Sequence, residues 1–177
     1  ELFANPEKNY PKNIYCYTEV IYSCINHLRE NFSDNDCKIK LIKIRHNLAG
    51  ICLSLDNGWD CDSFDQPLIN YRESGKRYTP DLILENADGT IEVIDFTVSR
   101  DVGLAIQLKS AKYQPCLIKG DHLHVLAYNL HAQQWEVPQW VIIGDWSVYF
   151  HNLMMRTNEY WKYLVSNDNE SGGEVLY

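Results

Sequence analysis

No run of apolar residues in this sequence approaches the roughly 18 that a helix needs to cross a bilayer, so no helical membrane span is expected. A basic segment leading into an apolar stretch is missing too, and no secretory leader is expected. Positive charge is in deficit: 16 Lys and Arg stand against 24 Asp and Glu, for a formal net charge of −8. Such a surface does not attract nucleic acid as a whole. An enzyme acting on nucleic acid is still allowed if divalent metal supplies positive charge locally. CxxC pairs are absent. Cys16, Cys24, Cys37, Cys52, Cys61 and Cys116 are scattered, with no spacing that supports structural zinc. A chain of 177 residues, 45% of them hydrophobic, has no need of disulfides. The cysteines read as reduced packing thiols of an intracellular protein. No internal repeat is evident. Glu1 stands where an initiator Met would, and the chain is expected to be cut from a larger polypeptide.

What remains is the composition of a folded protein, with 23% charged residues and 12% aromatic. The length suits one domain over 1–177, with irregular termini over 1–17 and 166–177. Thr18 is placed to cap a helix over 18–32, and a second apolar-periodic stretch covers 37–55, with Gly50 leaving its end open. Residues 56–80, with Asn57-Gly58, two Pro and many Asp, read as a long loop with little regular structure. The strongest signal follows. Residues 81–85 and 90–98 are apolar and β-branched, and Asn86-Ala87-Asp88-Gly89 between them is a turn. The pattern predicts a β-hairpin buried on most of both faces. A helix over 101–113 comes next, with Val102, Ala105, Ile106 and Leu108 as its apolar pattern and Ser99 as a candidate cap. Short strands over 122–128 and 139–144 and an aromatic-rich helix over 147–164 complete the order. This order predicts an α/β domain whose small mixed β-sheet is covered by helices.

Two carboxylates stand out within the hairpin. Asp81 follows Pro80 at the start of its first strand, and Asp95 sits in the apolar run Val93-Ile94-Asp95-Phe96. An ionised carboxylate in such a strand costs several kcal/mol unless compensated. Two of them on neighbouring strands raise each other's pKa. A divalent cation between them resolves both problems, and Mg²⁺ and Mn²⁺ favour carboxylate oxygens. The alternative for each Asp is a turn cap or an Arg partner. His122 and His124 alternate on a strand, a pattern that binds metal or, more often, marks an exposed strand edge. The five Trp, twelve Tyr and five Phe offer stacking on single-stranded bases, but most sit in amphipathic stretches and read as core. Arg72, Lys76, Arg77 and Arg100 flank the carboxylates and are placed to hold phosphates.

Thr79-Pro80-Asp81, Glu92-Val93-Ile94-Asp95-Phe96-Thr97 and Lys109-Ser110-Ala111-Lys112-Tyr113, in that order, resemble the PD-(D/E)xK nucleases. Within these nucleases the set is most similar to the cap-snatching endonuclease domain of bunyavirus-type L polymerases, of the phlebovirus and tenuivirus branch, in which an upstream His completes the site. Arg45-His46-Asn47 is the match here. The resemblance implies that Asp81 bridges two metal ions and that Asp95, the Phe96 carbonyl and His46 hold the better-bound one. A nitrogen ligand among oxygens implies Mn²⁺ in preference to Mg²⁺. A further acid that reaches the second ion would be Asp60, Asp62 or Asp65, with Asp62 favoured on spacing. The chain departs from the simple motif at Thr97, where a lysine would share the face of Asp95. The resemblance takes the lysine from the following helix, just before a Tyr, which favours Lys112 with Lys109 in reserve; Thr97 would then position water or the lysine. Taken singly, a helix lysine reads as a solvated surface charge.

The implied reaction is hydrolysis of single-stranded capped host RNA in the host cell cytoplasm. The fragments would prime viral transcription by the rest of the polymerase, and the isolated domain is expected to be monomeric. A DNA nuclease with the same metal core, or a non-catalytic domain of the same fold, are the rival readings.

Overall fold

The computed structural model describes residues 35–60, 64–65, 68–70 and 75–166, together with Ser23, Cys24, Asn26 and Glu30. The elements run α1 (Asn35–Asn57), β1 (Leu68–Asn70), β2 (Lys76–Tyr78), β3 (Leu82–Glu85), β4 (Ile91–Ser99), α2 (Val102–Tyr113), a 3₁₀ turn (Gln114–Cys116), β5 (His122–Asn129), β6 (Gln134–Glu136) and α3 (Asp145–Ser166). The chain divides into two compact units: Asn57–Ile142, and Glu1–Asp56 with Ile143–Tyr177. The helix expected over 18–32 lies outside the described residues except for Ser23, Cys24, Asn26 and Glu30, which are helical. Among the described residues no helix is long and apolar enough to cross a membrane.

In the unit Asn57–Ile142 the turn chemistry at 86–89 works as its residues dictate. Gly89 takes φ +83°, its N–H donates to the Asn86 carbonyl at 3.0 Å, and the Asn86 N–H donates to the Thr90 carbonyl at 2.8 Å. The chain is thereby returned antiparallel, with Leu82 opposite Ile94 and Glu85 opposite Ile91. Every residue of β4 from Val93 to Ser99 is buried, whereas β3 buries only Leu82 fully. From β4 the chain crosses through α2 to β5, which lies parallel to β4 with Asp95 opposite Val125. A parallel neighbour requires a crossover of this kind. β6 then pairs antiparallel with the end of β5. The result is a mixed four-stranded sheet of order β3-β4-β5-β6, the α/β architecture the sequence predicts. Leu68 of β1, Val93 of β4, Tyr113 at the end of α2 and Cys116 of the 3₁₀ turn form one buried cluster, with Tyr78, Ile83 and Leu123 packed on it.

Three local expectations fail for identifiable reasons. The long loop over 56–80 contains β1 and β2, an antiparallel pair with Leu68 opposite Tyr78; strands of three residues are too short to show a period. No strand forms over 139–144, because the Asn57 side chain takes the backbone of Ile142. Asn57 Nδ2 donates to the Ile142 carbonyl at 3.0 Å, and the Ile142 N–H donates to Asn57 Oδ1 at 2.8 Å. At the start of α2 the cap is Asp101, whose Oδ1 accepts from Leu104 N–H at 2.9 Å. Ser99 Oγ instead accepts from the Asp101 N–H at 3.1 Å.

The other unit is built on α1 and α3. α1 is buried without interruption from Leu48 to Ser54, as a core helix must be. It runs through Gly50 and stops at Gly58, which adopts φ +68°, the left-handed conformation that ends many helices. α3 buries Ser147, Phe150, Leu153, Met154 and Thr157, a stripe of helical period. Cys24, Cys52 and Cys116 are buried thiols. Burial, reinforced by Asp56, holds the Cys52 thiol far above its ordinary pKa.

Candidate functional site

The β3–β4 register carries Asp81 to a position opposite Asp95, one step beyond the Leu82–Ile94 pair. Pro80, buried and lacking an N–H, keeps Asp81 at the mouth of the strand. Each carboxylate is then fixed by the other residue's strand. The Asp81 N–H donates to Asp95 Oδ1 at 3.0 Å, and the Phe96 N–H donates to Asp81 Oδ2 at 2.7 Å. Asp95 is only 3% exposed. Burial and the nearby Asp81 carboxylate raise its pKa to about 6, against the lowering effect of Lys109.

α2 supplies the compensating charge. Lys109 Nζ donates to Asp95 Oδ2 and to the Phe96 carbonyl at 3.2 Å. Tyr113, one turn further on the same face, is buried. Burial and the charges of Asp95 and Asp81 hold its phenol well above the ordinary tyrosine range.

It is thus Lys109, the reserve choice, and not Lys112 that the structure brings to the carboxylates. Lys112 is exposed, and its ammonium lies over the rings of Tyr113, at 4.9 Å, and Tyr78, at 5.5 Å. The reason is helical phase. Val102, Ala105 and Tyr113 are the buried residues of α2; Lys109 falls at the centre of their stripe, and Lys112, seven residues after Ala105, lies at its edge. Of the expected apolar pattern, Val102 and Ala105 are buried, whereas Ile106 and Leu108 are 39% and 48% exposed. The 102–105–109–113 spacing was the signal that identifies Lys109 and brings Tyr113 into the site. Thr97 does not position the lysine: its buried hydroxyl has no hydrogen-bond partner among the described residues.

The remaining expected ligands fall as follows. His46 lies in the other unit, half-buried on α1, with Nδ1 3.2 Å from Asn47 Oδ1. Asp62 lies outside the described residues. Asp60 is exposed beyond the end of α1. Asp65, at φ +59°, donates its N–H to the Asp81 carbonyl at 3.0 Å, which sets its backbone beside the carboxylate pair. Of the flanking cations, Arg77 and Arg100 are exposed, Arg72 lies outside the described residues, and nothing is described of the Lys76 side chain.

A second polar cluster occupies the other face of the sheet. Glu92 Oε2 lies 2.7 Å from His124 Nε2 and Glu92 Oε1 3.3 Å from His122 Nδ1, while Asn86 Nδ2 donates to Glu92 Oε1 at 3.3 Å. Burial pushes the Glu92 carboxyl up, but the bonds from His124, Asn86 and His122 outweigh it and hold the pKa below the ordinary value. Trp140 meets His124 edge-on, with centroids 4.9 Å apart.

Among the described residues no group of three or more His, Cys, Asp or Glu is arranged to hold a metal ion on its own. The Asp81–Asp95 pair and the Phe96 carbonyl nonetheless form an oxygen donor set of the hard-cation type. With both carboxylates ionised and Lys109 protonated, the site carries a formal charge of −1, a deficit that a cation fits. No protein-family model matches the chain, and no curated protein matches it.

Proposed function

We propose that the chain is a divalent-metal-dependent endoribonuclease of the PD-(D/E)xK type. It takes Mn²⁺ in preference to Mg²⁺, in a two-metal site. Its substrate is single-stranded capped host RNA, cut in the host cytoplasm to prime transcription by a viral polymerase to which the domain belongs. The observation that carries this reading is the meeting of two carboxylates from adjacent strands, one of them almost wholly buried, with a lysine from the next helix.

Asp81, Asp95 and the Phe96 carbonyl would hold the metal, with His46 as the nitrogen donor that the sequence resemblance adds. When bound, such an ion lowers the pKa of water and neutralises phosphate charge. The chain's own residues do the rest. The backbone N–H groups of Asp81 and Phe96 fix the carboxylates without side-chain freedom, so the acids are preorganised. Lys109 carries the positive charge on the α2 side, where an ammonium counters charge developing on a phosphorane. Tyr113, neutral across the working pH range, closes the apolar wall beside it.

The test is cleavage of labelled capped single-stranded RNA in Mn²⁺. Asp81→Ala, Asp95→Ala and Lys109→Ala are expected to lose on the order of a hundredfold or more in rate, while Lys112→Ala stays close to the parent. An Asp95→Ala variant that cuts at the parent rate overturns the reading. Preferential cutting of matched duplex DNA moves the substrate to DNA.

A further inference from the structure

Lys109 stands on two of the oxygens that the proposed function gives to the metal, Asp95 Oδ2 and the carbonyl of Phe96. Resting on that reading, we infer that Lys109 is a resident internal cation, which a divalent ion must displace from these two oxygens in order to bind. The lysine thereby sets the metal concentration at which the site fills.

Three observations carry this. First, the contact is built in: Lys109 lies on the buried stripe of α2, its side chain is 17% exposed, and that of Asp95 is 4% exposed. Second, the ammonium accepts nothing and can only donate. It therefore cannot become a ligand when a metal arrives, and it repels a divalent ion across a few ångströms in a medium that screens poorly. Third, α2 offers an alternative lodging. Lys112, three residues on, already rests its ammonium over Tyr78 and Tyr113. Those rings show that an ammonium at this end of α2 can be held away from the carboxylates. The arrangement also explains how the carboxylate pair is kept together by the fold itself, since a buried, uncompensated pair would drive the strands apart.

The test titrates Mn²⁺ calorimetrically into the full chain, stripped beforehand with chelator, for the parent, Lys109→Met and Lys112→Met. Lys109→Met is expected to bind at least about tenfold more tightly than the parent, and Lys112→Met to match it. Equal or weaker binding by Lys109→Met overturns the inference and leaves the metal site standing. Absence of Mn²⁺ binding in all three overturns the proposed function, and the inference with it. A measurement on the parent chain guards against a variant that does not fold. With ¹⁵N-labelled lysine, the Lys109 ammonium should give a resonance protected from exchange, and Mg²⁺ should abolish that protection. A protected signal that persists at saturating Mg²⁺ is the opposing result.

Discussion

Asp95 is the residue at which environment and charge conflict most. Burial and Asp81 lift its pKa to about 6, while Lys109 pulls the other way. An unfolded chain ionises this carboxyl near pH 4, so between about pH 4 and 6 the folded protein binds the extra proton. Stability from this group is therefore full below the lower value and is lost as the pH rises through the upper one. The loss amounts to about 3 kcal/mol by linkage. Urea unfolding of the parent and Asp95→Asn, both in chelator, should show the parent falling relative to the variant over that window. Parallel curves would assign the pH dependence to another group. This residue was legible in the sequence because a lone acid among Val, Ile and Phe has few innocent explanations. Lys109 was harder to read. Leu104, Ile106 and Leu108 add apolar residues on a face that the fold leaves 40%, 39% and 48% exposed, and they blur the stripe on which the lysine lies.

The junction of α1 with α3 shows a cap supplied by a different helix. Gly144 occupies the N-cap of α3, its carbonyl accepting from Val148 N–H at 3.0 Å, but glycine has no side chain to offer the first turn. Asp56, at the end of α1, serves instead: Oδ2 accepts from the N–H groups of Gly144 and Ser147, each at 2.8 Å, and Oδ1 from that of Trp146 at 3.2 Å. A Cβ at position 144 would lie 2.6 Å from Asp56 Oδ1. Gly144→Ala and Asp56→Ala should therefore each cost about 1–3 kcal/mol. The double variant should cost little more than either alone, because both remove the same cap. Additive losses in denaturant unfolding would separate the two. No sequence pattern announces such a cap, since its donor and acceptor lie 88 to 91 residues apart. A separation of 85 residues likewise hid the Asn57–Ile142 bonds and made 139–144 look like a strand. The β3–β4 hairpin, by contrast, was legible because its turn residues and both its strands are contiguous.

At the scale of the whole molecule, an RNA substrate would be one acid meeting another. With a net charge of −8, the protein gains no general attraction for RNA, and exposed cations such as Arg77 and Arg100 are too few to reverse the balance. Binding of labelled single-stranded RNA, followed by stopped-flow anisotropy before cleavage, should be at least about tenfold tighter in Mn²⁺ than in chelator. Equal affinity would mean that the chain's own cations suffice. The mixed sheet was readable from the order of elements, while the division into two units was not, because α1 and α3 belong together though the whole sheet lies between them in sequence. The spacing of the charged groups has a different implication. Asp81, Asp95 and Lys109 follow one another at intervals of 14 residues, and short loops close at small entropic cost. A growing chain can thus gather all three within residues 81–109 before β5 has been synthesised. The acids and the charge that lets them stay together are thus supplied by one short stretch of chain.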